Sequence, residues 1–133
     1  MNTCLAVGAM LLHLSGPEFT LAWTHSVEKV EWQESWLISD TRLTLQSSRI
    51  KGSGAGMEPA PDAVLRDGWW VSNSTFTVSS LTLAASGRTV SPWTLCADGA
   101  CHEIGAQAQA PITVAPCGVV TEQALILSKR LPD

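Results

Sequence analysis

Charged side chains are scarce in this chain of 133 residues: they make up 15% of it, against roughly 25% in an average soluble domain. Apolar residues reach 45%, so the sequence lacks the low hydrophobicity and high net charge that keep a protein disordered. A chain of this length matches one domain and can bury a sizeable core. We therefore expect one folded all-β domain over residues 1–117, followed by a C-terminal tail over residues 118–133.

Positive charge is sparse as well. The formal net charge is −4, and the longest basic run is Lys129-Arg130, so the chain offers no basic patch for nucleic acid. The apolar stretch from Cys4 to Leu14 has no Lys or Arg before it and no small-residue cleavage pattern after it, and it is too short to cross a bilayer. The sequence predicts no nucleic-acid partner, no signal peptide and no membrane-spanning segment.

Strong helical stripes are nearly absent, and apolar residues instead alternate with polar ones. Apolar side chains occupy odd positions over residues 19–27 and even positions over residues 30–38, as in two half-buried strands with a bulge or bend near residues 28–29. Short segments rich in β-branched residues and tryptophan follow, separated by Gly, Pro, Ser and Asn. The pattern predicts an antiparallel all-β small barrel or sandwich with few or no helices.

The two ends of the chain permit more than one interpretation. We read the N-terminal stretch 4–14, which Gly8 divides, as an opening strand buried on both faces, with a helix as the alternative. At the other end, residues 122–130 suit either a short C-terminal helix or a last strand within a partly ordered tail.

The strand that begins at Leu43 carries two cations. Leu43 and Leu45 share their parity with Arg49 and Lys51. Because side chains on a strand alternate between faces, an uninterrupted strand would direct both cations inward, and only a second bulge would change this.

The cysteines predict disulfide bonds. In the run Cys96–Cys101, Asp98-Gly99 fits a two-residue hairpin turn. This turn places Cys96 opposite Cys101 at a non-hydrogen-bonded position, where the strands lie close enough for a bridge. The remaining pair, Cys4 and Cys117, is a possible second bridge that would close a loop over most of the chain.

A zinc site formed by Cys96, Cys101 and His102 is the competing interpretation. The spacing and the tight turn fit zinc ligands poorly, and His102 would point to the opposite face from Cys101. We therefore predict no metal and no cofactor. Disulfide bonds indicate an oxidising compartment, whereas the missing signal peptide indicates the cytoplasm.

Two segments, Thr24–Lys29 and Arg49–Glu58, gather ionisable side chains and glycines, and we expect them to form one site. The candidate ligand-binding residues are His25, Ser26, Glu28, Lys29, Arg49, Lys51, Ser53, Gly54, Gly56 and Glu58. Glycines let successive amide N–H groups turn inward as an anion-binding nest. Arg49 can grip a planar carboxylate with two parallel hydrogen bonds, and Lys51 adds a less directional charge. The site therefore suits a small carboxylate or a phosphate.

Catalytic use of these residues is less favoured. A small hydrolase would need Ser26 or Ser53 as nucleophile and His25 as base, but His25 and Ser26 point to opposite faces of a regular strand. No nucleophile-elbow sequence surrounds either serine. A metal held by His25, Glu28 and Glu58 also lacks a recognised ligand spacing. We name no catalytic residue and regard an enzyme as the weaker interpretation.

A structural role is the other alternative, in which charged side chains form interior or rim ion pairs that fix the strand register: Glu28, Lys29, Glu31, Glu34, Arg49, Lys51 and Glu58. An unpaired buried charge costs several kcal/mol, on the order of 3–5 when a buried pair is broken. The groups that Arg49 and Lys51 contact therefore distinguish a ligand site from an internal network.

Three motifs, Trp23–Lys29, Arg49–Pro59 and Asp67–Trp70, resemble the signature of a bacterial family of domains of unknown function (DUF1850). Small members of this family are commonly encoded beside TRAP transporters of the TAXI type. The resemblance extends over roughly Cys4–Cys117. It implies an accessory or binding module linked to organic-anion uptake at the cell envelope, with a transporter component or a small organic anion as partner. It also implies a location in the periplasm or on the outer face of the membrane.

Overall fold

The computed structural model describes residues 3–24, 30–51, 62–85, 92–107 and 109–118, and these residues form twelve β-strands. The strands are β1 (Thr3–Val7), β2 (Met10–Leu14), β3 (Glu18–Thr24), β4 (Glu31–Ile38), β5 (Leu43–Lys51), β6 (Val64–Arg66), β7 (Trp69–Asn73), β8 (Thr77–Val78), β9 (Leu81–Ala85), β10 (Trp93–Ala97), β11 (Ala100–Ile104) and β12 (Gln109–Pro116). The smaller sheet has the order β2-β1-β12-β9, and the larger has the order β11-β10-β3-β4-β5-β7-β6, with β8 paired to β5.

The predicted antiparallel all-β fold is confirmed, and the described residues form two sheets that do not close into a barrel. None of the described segments forms an apolar helix of a length that could span a lipid bilayer. The separate C-terminal tail and its possible short helix stay predictions, because residues 119–133 lie outside the described residues.

The hydrophobic core receives side chains from both sheets. Its buried members are Leu5, Val7, Leu14, Phe19, Leu21, Trp36, Ile38, Leu43, Leu83, Leu95, Ile104 and Val114. The predicted alternation is clear in β3, where Phe19 and Leu21 are buried and Thr20 between them is exposed. Each such fully buried side chain contributes about 1.5–3 kcal/mol relative to an exposed one.

The N-terminal apolar stretch is a hairpin, and its interpretation as one doubly buried strand is wrong. Strands β1 and β2 pair along their whole length around Gly8, which has a φ of 59°. Glycine adopts this left-handed conformation without steric cost, so the chain can reverse there. Leu5 on β1 is fully buried, whereas Leu11 on the edge strand β2 is 56% exposed.

Strand β5 carries one extra residue relative to β4. Trp36 pairs with Leu45, whereas its neighbour Ser35 pairs with Ser47, which leaves Gln46 without an opposite residue. Such a bulge bends the strand and reverses the faces of the residues that follow it.

The bulge turns the two cations of β5 away from the core. Leu45, before the bulge, packs against the core cluster, and Ile50, after it, pairs with Trp32 and Trp70 on that same face. Arg49 and Lys51 therefore lie on the outer face of the larger sheet, and the prediction that they face inward is wrong. The second bulge that could change their side is present.

Both predicted cysteine pairs lie at disulfide-bonding distance. Cys96 and Cys101 are directly opposite each other in the β10–β11 hairpin, with Cα atoms 4.0 Å apart. The turn between them has positive φ at both positions, 53° and 76°, as the Asp-Gly sequence predicts. Cys4 and Cys117 join the start of β1 to the end of β12, with Cα atoms 5.4 Å apart.

Candidate functional site

Arg49 and Lys51 meet one aromatic ring on the outer face of the larger sheet. The pairing of β5 with β7 places Lys51 directly opposite Trp69. The centre of the Trp69 ring lies 4.5 Å from Cζ of Arg49 and 5.5 Å from Nζ of Lys51. Both distances are within the range at which the face of an aromatic ring attracts a cation. We call these three residues the cationic cluster.

The hairpin of β6 and β7 determines which tryptophan joins the cluster. Asp67 and Gly68 form its turn with φ values of 52° and 85°, so Trp69 begins β7 immediately after the turn. Its neighbour Trp70 pairs with Ile50 on the opposite face. The two adjacent tryptophans therefore lie on opposite faces of the sheet.

A side-chain amide links the cationic cluster to a carboxylate on β4. Gln33 is opposite Arg49 in the register, and Nη2 of Arg49 donates a hydrogen bond to Oε1 of Gln33. Nε2 of Gln33 in turn donates a hydrogen bond of 2.8 Å to Oε2 of Glu31. The amide is thereby oriented with its acceptor towards the guanidinium and its donor towards the carboxylate.

A hollow of about 140 Å³ opens beside Glu31. Its lining residues are Ala22, Trp23, Thr24, Glu31, Pro92 and Thr94. Because Ala22 pairs with both Thr94 and Gln33, the hollow lies on β10, β3 and β4 next to the amide of Gln33. We call it the Glu31 hollow; its volume admits several water molecules or a small polar group.

Arg49 and Lys51 are the predicted ligand-binding residues that the structure describes. The other candidates, His25, Ser26, Glu28, Lys29, Ser53, Gly54, Gly56 and Glu58, lie outside the described residues. Whether they join the cationic cluster stays a prediction.

The described strand ends show where both motif segments leave the sheet. β3 ends at Thr24, which pairs with Glu31 at the start of β4. β5 ends at Lys51, one residue beyond the pair formed by Ile50 and Trp32. The segments 25–29 and 52–61 therefore both begin at the same end of the larger sheet, as the prediction of a single site requires.

Three residues of this surface were not identified from sequence as site residues: Glu31, Gln33 and Trp69. The sequence did indicate which face of β4 Gln33 occupies. Gln33 is at an odd position, on the polar face, whereas Trp32 and Trp36 are at even positions, on the apolar face. Its role as a link to Arg49 depends on the bulge in β5, which the parity of β4 does not reveal.

Glu34 lies on the inner face of the same strand, where it pairs with Leu21 and Ser48. Burial raises the pKa of the Glu34 carboxyl above its ordinary value, and a hydrogen bond of 3.1 Å donated by Nε1 of Trp36 offsets part of this shift. On the neighbouring strands, the hydroxyls of Ser48 and Ser72 are hydrogen-bonded at 2.9 Å. This half-buried acid belongs to the opposite side of the sheet from the cationic cluster.

A metal centre has no support in the part of the chain that the structure describes. No group of three or more His, Cys, Asp or Glu residues there is placed to hold a metal ion. Cys96 and Cys101 lie at disulfide-bonding distance from each other, which favours the predicted bridge over the zinc interpretation.

Comparison with known proteins gives one relationship. Neither the search of curated proteins nor that of solved structures found a match to the chain. Residues 19–104 match a family model described as Domain of unknown function (DUF1850). This range runs from β3 to the end of β11 and contains the cationic cluster, Gln33 and Glu31. Because the match covers more than half of the chain, the protein belongs to this family of domains of unknown function.

Proposed function

We propose that this protein is a non-enzymatic binding module that takes a small carboxylate at the cationic cluster. The observation that carries the proposal is the position of Arg49 and Lys51, which both lie against the ring of Trp69 on the outer face. Among the residues that the structure describes, neither cation forms an ion pair with a carboxylate. The proposal assigns their charges to an anion that approaches this face.

The contacts of Arg49 suit it to orient a planar anion. A guanidinium has five N–H donors in a fixed plane, and Gln33 takes up Nη2 on one side. The ring of Trp69 supports the guanidinium from another direction. A group held in this way loses less side-chain freedom when a carboxylate binds, because its orientation is already restricted. Lys51 adds a second positive charge without a fixed direction.

The transporter link belongs to the same proposal. The resemblance of the three sequence motifs supports a role beside TRAP-type organic-anion uptake, with a transporter component as a possible docking partner. The two cysteine pairs at disulfide-bonding distance support an oxidising location at the cell envelope.

A structural or assembly protein is the second candidate. It is favoured by the hydrogen-bonded chain from Arg49 through Gln33 to Glu31, which connects opposite charges on neighbouring strands. Such a chain could serve only to fix the register of β4 and β5. A hydrolase would need His25, which lies outside the described residues, and no described contact favours it.

Calorimetric titration of the purified protein with acetate, butyrate, succinate and inorganic phosphate tests the proposal. We expect at least one carboxylate to bind, and Arg49→Gln to weaken it by about tenfold, because a hydrogen bond to a charged group is worth about 1.5–3 kcal/mol. Arg42→Gln is the matched control, since Arg42 is an exposed arginine before the other end of β5. Absence of binding across the panel, or equal weakening by both variants, would overturn the proposal in favour of a structural role.

A further inference from the structure

The Glu31 hollow provides the surface with a negative charge beside the two positive ones. We infer that the ligand is an amino carboxylate with separated charges, whose carboxylate binds the cationic cluster and whose ammonium group enters the Glu31 hollow. This inference rests on the proposed function, because it assumes that Arg49 and Lys51 receive the carboxylate.

The side-chain amide of Gln33 lies between the negative charge of Glu31 and the positive charge of Arg49. Glu31 and Gln33 are two residues apart on β4, about 6.6 Å along the strand, and Arg49 lies across from Gln33. Arg49 and Glu31 contact opposite ends of the Gln33 amide, so the ligand must extend past that amide. A spacer of a few methylene groups does so, and the hydrocarbon would lie over the amide.

The chemistry of the hollow suits an ammonium group. Gln33 donates to Oε2 of Glu31, and among the described residues Oε1 has no hydrogen-bond partner. Glu31 lines the hollow together with Thr94, whose hydroxyl oxygen can also accept a hydrogen bond from an ammonium group. The half-buried position of Glu31 reduces solvent screening of its charge compared with a fully exposed carboxylate.

Glu31 also gives the surface a means of discrimination. A dicarboxylate that placed its first carboxylate at Arg49 would bring the second one towards Glu31, and like charges at close approach repel. The same carboxylate attracts an ammonium group at that position. Two ligands that differ only in this terminal group are therefore expected to differ in affinity.

Three ligands that share a three-carbon chain attached to the carboxylate test the inference by calorimetric titration: 4-aminobutyrate, butyrate and glutarate. We expect 4-aminobutyrate to bind about fivefold more tightly than butyrate, as for an ion pair worth about 1 kcal/mol, and glutarate to bind more weakly than butyrate. The series 5-aminopentanoate, pentanoate and adipate repeats the comparison with one more methylene.

Glu31→Gln should abolish the preference for 4-aminobutyrate over butyrate and remove the penalty on glutarate. Glu18→Gln is the matched control, because it removes an exposed negative charge at the opposite end of β3 and should leave the order of affinities unchanged. Equal binding of butyrate and 4-aminobutyrate by the wild type in both series, with loss of both in Arg49→Gln, would overturn the inference and leave the carboxylate site standing. Absence of binding by all six ligands would overturn both.

Discussion

The guanidinium of Arg49 lies 4.5 Å from the centre of the Trp69 ring, and this contact joins β5 to β7 on the outer face of the larger sheet. Stacking of this kind is worth about 0.5–1 kcal/mol at exposed sites. In a double-mutant cycle with Arg49→Gln and Trp69→Leu, we expect a coupling of that size in the free energy of unfolding, measured by urea denaturation. Additive effects of the two substitutions would show that the contact contributes nothing to stability.

The two disulfide bonds are expected to differ in their contribution to stability. The Cys4–Cys117 bond has a sequence separation of 113, and the Cys96–Cys101 bond a separation of 5. By chain entropy, the larger loop stabilises the fold by nearly 5 kcal/mol and the smaller by about 2 kcal/mol. Paired Cys→Ser variants of each bond, compared by urea denaturation, measure the difference. Equal losses, or a larger loss at the hairpin, would contradict the entropic explanation.

The half-buried Glu34 is expected to make stability depend on pH. Because burial raises its pKa in the folded state, the folded protein holds this proton more tightly than the unfolded chain does. The resulting stabilisation is fully present below the unfolded pKa of about 4.3 and is lost as the pH rises through the higher folded pKa. Glu34→Gln should flatten this part of the stability profile in urea denaturation, whereas Glu18→Gln, at an exposed site, should not. An unchanged slope in Glu34→Gln would contradict the prediction.

Local patterns predicted the elements that alternate regularly or contain a decisive turn sequence. The apolar residues Phe19 and Leu21 defined the buried face of β3, and Asp98-Gly99 fixed the register that brings Cys96 opposite Cys101. In both cases the controlling interaction lies within a few residues of the chain, either strand alternation or the backbone conformation of a two-residue turn.

A regular alternation of faces along the whole of β5 does not predict the side of the sheet on which Arg49 and Lys51 lie. Leu43 and Leu45 have odd parity and Ile50 has even parity, so the change of phase was visible in the sequence. Its position at Gln46 depends on how β4 pairs with β5, which is a contact between strands. The same holds for Gln33, because its link to Arg49 exists only in that register.

A contact between two turns ties the β10–β11 hairpin to the connection between β2 and β3. The Asp98 carboxylate accepts hydrogen bonds from the backbone N–H of Ser15 at 2.7 Å and from its hydroxyl at 2.9 Å. The backbone bond, followed by the hydroxyl bond, lowers the pKa of Asp98 below its ordinary value. The contact therefore favours the folded state above the unfolded pKa of this carboxyl, and that contribution is lost as the pH falls through the lower folded pKa.

Asp98→Asn isolates the charge in this contact, because asparagine tolerates the left-handed conformation, with a φ of 53°, that Asp98 adopts in the turn. We expect the variant to lose less stability than the wild type as the pH falls from about 5 to 2, the range in which an aspartate titrates. Urea denaturation across this range measures the slope. The matched control is Asp67→Asn, the same change in the β6–β7 turn, where φ is 52°; it should leave the acid slope unchanged. If both variants alter the slope alike, the effect arises from turn chemistry common to the two Asp-Gly pairs, and the bond between Asp98 and Ser15 is not its cause.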